Sequence, residues 1–164
     1  MDIFYYDESG FSLTSCLPYA WQKKGETIGL LPGKGKRLNV AGFYSGKGKF
    51  VYHLQQQGYC QQQLIELFDG FCQGITKKTI VVLDNAPAHH GKAFEQKVRQ
   101  WQEQDLYLFY LPPYCPELNK IEILWKRIKY DWLGFEAYLN FQNLNLMLEQ
   151  VLQKIGIKYT VNAG

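Results

Sequence analysis

Three acidic residues from distant parts of the chain are candidates for one metal site. Asp7 and Asp84 each follow a short run of apolar, aromatic and β-branched residues, and Glu122 follows the turn-forming stretch 116–119. Carboxylate oxygens select Mg²⁺ or Mn²⁺ over zinc. Three carboxylates can hold two such ions roughly 3.5–4 Å apart, an arrangement that promotes in-line displacement at phosphorus. The residue types therefore permit two-metal phosphodiester chemistry.

Each acid also has an ordinary structural explanation. Asp7 could be a turn residue after a strand, and residues 84–87 (DNAP) could be a loop built on Asx turns. Asn119 and Glu122 have the spacing of a capping box, in which the Glu122 side chain accepts a hydrogen bond from the Asn119 amide. Glu122 could also pair with Lys126 on a helix surface. Spacing alone leaves both explanations open for all three acids.

Basic and imidazole side chains supply candidate DNA contacts. Net charge is only +3, but lysine and arginine concentrate between residues 23 and 49 and again between residues 120 and 129. Such clusters are typical of phosphate-binding surfaces and equally of solvated surfaces. Two adjacent histidines rarely reach one ion, so we assign them to orientation or phosphate contact. The candidates are Lys34, Lys36, Arg37, His89, His90, Lys120, Lys126 and Lys129.

Composition is that of one ordinary globular domain. The chain has 164 residues, of which 46% are hydrophobic and 20% charged, which suits a single domain at positions 1–164. The four cysteines are far apart and lack a C-x-x-C pair, so we expect free thiols. No signal peptide and no apolar run of the ~20 residues needed to cross a membrane is recognisable. We therefore expect a soluble intracellular protein without a membrane partner.

Hydrophobic patterning predicts an α/β fold. Strands are expected at 2–6, 38–44, 49–54, 79–83 and 106–111, and helices at 59–73, at about 91–103, near 120 and near 141. An opening antiparallel meander followed by alternating strands and helices indicates a mixed five-stranded sheet flanked by helices. Ligands gather at the carboxyl ends of strands in such sheets. If the strands before Asp7 and Asp84 are neighbours, their carboxylates share one crevice.

Three sequence blocks resemble the signature motifs of DDE transposases. They are residues 7–11 (DESGF), 82–90 (VLDNAPAHH) and 111–125 (LPPYCPELNKIEILW). The pattern is most similar to bacterial insertion sequences allied to the mariner superfamily. Three motifs in the family's order across almost the whole chain are far more specific than any single carboxylate.

This resemblance implies a ribonuclease H-like fold and a two-metal endonuclease. Matched residue by residue, it places Asp7, Asp84 and Glu122 on two Mg²⁺ ions, with Mn²⁺ as a substitute. The enzyme would cut transposon ends and join the freed 3′-hydroxyl to target DNA, working as a homodimer in the bacterial cytoplasm. Lys126 and Lys129 would share the helix face of Glu122 and hold backbone phosphates.

The sequence departs from the family pattern in three ways. Lys120 stands where the motif usually has proline, and 37 residues (85–121) separate the second and third acids. As the third departure, we expect this chain to lack the helix-turn-helix domains that usually precede the catalytic domain. Sequence-specific end binding is therefore expected to be weak. Two alternatives stay open, namely another nuclease of the same fold (a resolvase or a hybrid ribonuclease) and a non-catalytic DNA-binding remnant.

Overall fold

A computed structural model describes residues 1–13, 23–25, 35–113 and 115–161. Lys34, one of the candidate DNA contacts, and Cys16 lie outside these ranges. Cys60, Cys72 and Cys115 are free thiols, as expected. No helix of the described ranges is long and apolar enough to span a bilayer.

The sheet has five strands in the order β3-β2-β1-β4-β5. The strands are β1 (Asp2–Ser12), β2 (Arg37–Tyr44), β3 (Phe50–Gln55), β4 (Thr79–Leu83) and β5 (Leu106–Tyr110). β1, β2 and β3 form an antiparallel meander, whereas β4 runs parallel to both β1 and β5. The mixed sheet expected from the patterning is confirmed. The apolar β4 lies between two parallel neighbours, which explains why all of its side chains except the half-buried Ile80 are buried.

Helices cover both faces of this sheet. They are α1 (Gln61–Gly74), α2 (Lys92–Glu103), α3 (Ile121–Arg127) and α4 (Phe141–Gln153). A π-helical turn, Ile128–Trp132, extends α3, and short 3₁₀ turns occur at Pro87–His89, Pro116–Leu118 and Phe135–Tyr138. The helix boundaries agree with the sequence expectation within about two residues, because the apolar spacing of three and four residues marks each buried face.

Strand alternation divides the apolar side chains into two cores. On β1, Phe4 and Tyr6 point towards α1 and α2, whereas Tyr5 packs on the opposite face with α3 and α4. By the same alternation, Asp7 lies on the α3 face. The helix that carries Glu122 therefore packs on the side of the sheet to which Asp7 points.

The first strand is longer than its sequence predicts. We expected it to end at Tyr6, so that Asp7 would open a loop, but β1 continues to Ser12. Residues 7–12 remain extended because they pair with β2, from Asp7 opposite Gly42 to Ser12 opposite Arg37. Asp7 is therefore a strand residue, and its interpretation as a turn residue is wrong. The polar DES segment gives no local signal of a strand, because its hydrogen-bond partners lie about 30 residues further along the chain.

Phe68 is the centre of an aromatic cluster that supports the α1 face. It is fully buried and lies against Tyr6, Phe43, Phe94 and Trp101, with ring centroids 4.8–5.5 Å apart. Phe68→Ala should lower the free energy of unfolding by about 3–5 kcal/mol because it leaves a cavity. Urea unfolding followed by circular dichroism measures the loss. The control Phe109→Ala, at a side chain that is 56% exposed, should cost far less, and equal losses would contradict the central role of Phe68.

Candidate active site

Strand register places Asp7 and Asp84 at the same edge of the sheet. The parallel pairing of β1 with β4 runs from Asp2–Thr79 to Tyr5–Val82. Asp7 and Asp84 each lie two residues after this last pair. Alternation places both of them on the face of Tyr5 and Val82. β4 ends at Leu83, so Asp84 opens the loop as expected, while β1 continues beside β2.

Glu122 reaches this edge in the first turn of α3. Its backbone N–H donates to the Asn119 carbonyl over 2.9 Å. The capping box considered as the structural alternative is not formed, since α3 begins after Lys120, which has helical angles and no side-chain cap. The buried Asn119 instead donates from Nδ2 to the Tyr6 carbonyl over 3.0 Å. Asn119 thus ties the start of α3 to the residue before Asp7.

The three acids line one cavity of about 480 Å³. Asn119, Pro112 and Pro113 belong to the same lining. The carboxylates share this space without converging: among the residues described, no three His, Cys, Asp or Glu side chains are close enough to form a ready-made cation site. None of the ion pairs found among the described residues joins Glu122 to Lys126. Glu122 therefore faces the cavity instead of forming either surface interaction considered from the sequence.

The pKa of Asp7 is strongly shifted. Burial raises its pKa to about 7, and the nearby Glu122 and Asp84 carboxylates add to the increase. A hydrogen bond from the Glu8 backbone amide and one from the Trp125 indole, whose Nε1 lies 3.1 Å from Asp7 Oδ2, partly offset it. A positive charge placed nearby would strongly stabilise the ionised form of a half-buried carboxylate that lies beside two others.

Asp84 is fixed by His89. His89 Nδ1 lies 3.1 Å from Asp84 Oδ1 and 3.3 Å from the Asp84 carbonyl oxygen, so Nδ1 carries the proton. This contact lowers the pKa of Asp84, helped by the Ala86 backbone N–H, which donates to Oδ1 over 3.3 Å. The imidazole is 4% exposed. Of the two roles considered for His89, the geometry supplies orientation of Asp84.

The remaining basic candidates separate into two groups. At the far end of β1, Lys129 Nζ lies 5.2 Å from the centroid of the Phe11 ring, and the Arg37 side chain lies against Gly10. Lys36 Nζ lies 5.6 Å from the Phe141 ring centroid.

The second group lies beside the cavity and on α3. Lys120 and Lys126 are exposed at the start and in the last turn of α3. Because the π-helical turn begins at Ile128, the α-helical steps assumed from Glu122 through Lys126 to Lys129 hold only as far as Lys126. His90 is exposed, contacts Asn85 Oδ1 and stacks on Tyr110.

Two residues at the site were not singled out from the sequence. Trp125 binds Asp7, and Asn119 binds the strand before it. Trp125 stands three residues after Glu122, which is the spacing of neighbours on one helix face. That spacing was a usable signal for Trp125. Asn119 was considered only as a cap, because nothing local indicates a contact 113 residues away.

A mixed five-stranded sheet with three acids around one cavity defines a ribonuclease H-like domain with an acidic site. The DDE superfamily endonuclease model matches residues 2–145. The chain therefore belongs to the DDE superfamily of endonucleases. Among curated proteins, none matches the sequence.

Solved structures share the fold at low sequence identity. The Mos1 strand transfer complex aligns with a TM-score of 0.65 and 12% identity, covering 94% of this chain and 49% of that chain. The Mos1 mariner paired end complex with Mn gives 0.56 and 17%, covering 94% and 52%. The catalytic core domain of BIV integrase gives 0.56 and 12%, covering 99% and 88%. The chain thus spans about half the length of the Mos1 chains and nearly all of the integrase core.

The raised pKa of Asp7 predicts a pH-dependent stability. The folded protein holds this proton more tightly than the unfolded chain, so the contribution of Asp7 is fully present below about pH 4 and is lost as the pH rises through about 7. Asp7→Asn should therefore stabilise the metal-free protein at pH 8, by at most about 4 kcal/mol at 1.36 kcal/mol per pH unit. The gain should vanish at pH 4. Urea unfolding in EDTA at both values measures it.

Asp84→Asn is the matched control for this prediction. The pKa of Asp84 is lowered, so its charge stabilises the fold above the unfolded pKa and this contribution is lost on acidification. The asparagine variant should therefore be less stable than the parent protein at pH 8. A gain of equal size from Asp7→Asn at pH 4 and pH 8 would contradict the electrostatic account.

Proposed function

We propose that this chain is the catalytic domain of a DNA transposase. In this proposal it cleaves the ends of a mobile element by metal-dependent phosphodiester hydrolysis and joins the freed 3′-hydroxyl to target DNA. The observation that carries the proposal is the shared cavity of Asp7, Asp84 and Glu122 in a chain of the DDE endonuclease family. This chain corresponds to about half the length of the Mos1 transposase chains. We therefore propose, by analogy with the whole transposase, that it carries out the cleavage and joining steps.

The three carboxylates would hold two Mg²⁺ ions, with Mn²⁺ as a substitute. The donor set fits, because it consists of hard carboxylate oxygens, and among the described residues that line the cavity Cys115 is the only soft ligand. The charge state fits as well, since burial and, after it, the two acidic neighbours raise the pKa of Asp7, and a bound cation would relieve the repulsion from those neighbours. When bound, the ions would polarise the scissile phosphate and lower the pKa of an attacking water or hydroxyl.

The chain's own residues orient the acids and line the cavity. His89 donates to Asp84 Oδ1 and restricts the carboxylate of an otherwise exposed loop residue. Trp125 and the Glu8 amide hold Asp7 in the extended strand. Pro112 and Pro113 form an apolar wall of the cavity, and a less hydrated site strengthens electrostatic interactions with a phosphate.

DNA would approach along basic groups on α3 and at the far end of β1. Lys120 and Lys126 lie on the third-acid side, and Arg37 with Lys129 lies at the far end of the strand that carries Asp7. One of the Mos1 structures that share this fold is a paired-end complex with a left transposon end. By analogy we propose transposon ends and target DNA as substrates. A homodimer is expected because two ends must be brought together.

Plasmid nicking tests the metal-dependent nuclease. The purified chain should nick supercoiled DNA in Mg²⁺ or Mn²⁺ and not in EDTA. Asp84→Ala should lower the rate by about 10²–10³-fold or more, the loss that follows removal of one group that stabilises the transition state. Glu103→Ala, at an exposed residue ending α2, is the control and should be fully active. Equal nicking by the Asp84→Ala variant and the parent protein would refute the assignment.

A strand-transfer assay in the same reactions separates a transposase from other nucleases of this fold. Labelled duplex with a preformed 3′-hydroxyl end should become joined to target plasmid. A resolvase or a hybrid ribonuclease would only hydrolyse its substrate. Cleavage without any joined product would therefore reject the transposase while retaining the nuclease.

Salt dependence of DNA binding tests the basic groups. Arg37→Ala or Lys129→Ala should weaken binding to any duplex sequence and reduce the slope of log K against log salt by about 1, because each removes one phosphate contact. Fluorescence anisotropy with labelled duplex at several salt concentrations measures the slope. The control Lys154→Ala, an exposed residue after α4, should leave the slope unchanged. An unchanged slope for both Arg37→Ala and Lys129→Ala would place the DNA elsewhere.

A further inference from the structure

The helix that carries the third acid also binds the first acid. Trp125 stands three residues after Glu122 on α3, and its indole N–H donates to Asp7 Oδ2 over 3.1 Å. The indole is 2% exposed, so this donor has no access to bulk water as an alternative partner. A hydrogen bond from a buried donor to a carboxylate is stronger than one between neutral groups. It restricts Asp7 relative to the helix on which Glu122 is mounted.

Gly42 leaves the space that the indole occupies. It is the residue of β2 directly opposite Asp7. A Cβ atom at this position would lie 2.7 Å from Cε2 of Phe50 and 3.1 Å from Cη2 of Trp125. Any larger residue would push one of these rings aside. The absence of a side chain next to Asp7 therefore allows Trp125 to lie across β1 and β2 and reach the carboxylate.

We infer that Trp125 is a positioning residue that fixes the Asp7 carboxylate relative to Glu122 for cation binding. The inference rests on the proposed function, because it takes the cavity to be a cation site. Trp125 would act through Asp7 and would itself touch neither the cation nor the DNA. Hydrogen bonds that orient ligating side chains from behind typically change metal affinity by 10–100-fold when they are removed.

The chain contains a matched control for this bond. Trp101 Nε1 donates to Asp69 Oδ1 over 2.7 Å, and Trp101 is 1% exposed. This pair links α2 to α1 on the other face of the sheet, away from the cavity. Trp125→Phe and Trp101→Phe therefore make the same chemical change, each removing a buried indole N–H from a carboxylate. Only Trp125→Phe changes the surroundings of a proposed cation ligand.

The experiment measures Mn²⁺ binding to the full chain without DNA, by electron paramagnetic resonance of free Mn²⁺ or by calorimetry. Trp125→Phe should weaken Mn²⁺ binding by roughly tenfold or more. Trp101→Phe should bind Mn²⁺ like the parent protein. Thermal unfolding without metal should show that both variants are folded. Mn²⁺ affinity of Trp125→Phe equal to that of Trp101→Phe would overturn the inference.

Asp84→Asn, measured in parallel, separates this inference from the proposed function. If Asp84→Asn weakens Mn²⁺ binding and Trp125→Phe does not, the cation site stands and the role of Trp125 is rejected. If the parent protein binds Mn²⁺ no more tightly than Asp84→Asn, the proposed site fails and the inference fails with it.

A second measurement keeps the test valid if Trp125→Phe does not fold. The chain has four tryptophans, so ¹⁵N-labelling gives four indole N–H resonances. Single substitutions of the other three tryptophans assign the fourth resonance to Trp125. Titration with diamagnetic Mg²⁺ should shift the Trp125 signal, because its acceptor carboxylate would bind the cation, and should leave the Trp101 signal in place. A Trp125 signal unmoved at saturating Mg²⁺ would reject the inference.

Discussion

The structure around the cavity is constrained by the burial of one carboxylate, Asp7, beside two others at the same edge of the sheet. Burial removes hydration from Asp7, Glu122 and Asp84 add negative charge next to it, and its pKa rises to about 7. The fold does not neutralise the three acids with lysine or arginine, since no ion pair among the described residues involves Asp7 or Glu122. A site that stays short of positive charge is suited to small divalent cations.

The surrounding contacts hold the acids in place despite this repulsion. Asp84 is restrained by His89, and Asp7 by Trp125. Asn119 ties the start of α3 to the Tyr6 carbonyl. The Trp125 indole and the Asn119 amide are neutral donors, so they hold Asp7 and the start of α3 in place without adding positive charge to the site. Orientation and charge are thereby controlled by different residues, which is what a metal site of hard oxygen ligands requires.

The long first strand connects the acidic site to two basic side chains. Residues 7–12 pair with β2 after the pairing with β4 has ended, so β1 projects beyond the edge where Asp7 and Asp84 meet. Arg37 and Lys129 flank that projecting end. Both lie against β1 residues, Arg37 beside Gly10 and Lys129 over the Phe11 ring. The same strand therefore carries Asp7 and supports two basic side chains whose positive charge would attract a phosphate backbone.

Much of this protein was determined by local sequence. Apolar spacing located the helices and most strands because burial of one face imposes a period of 3.6 or 2 residues. The order of elements predicted the mixed sheet, and the three motifs predicted Asp7, Asp84 and Glu122 as site residues, which the structure places around one cavity. Tertiary structure alone decided that Asp7 is a strand residue, because its hydrogen bonds come from β2. It also decided that Asn119 binds Tyr6 instead of capping α3 and that Trp125 reaches Asp7 through the space left at Gly42. These contacts join residues 113 and 118 positions apart, and no local pattern encodes which distant partner a buried donor will meet.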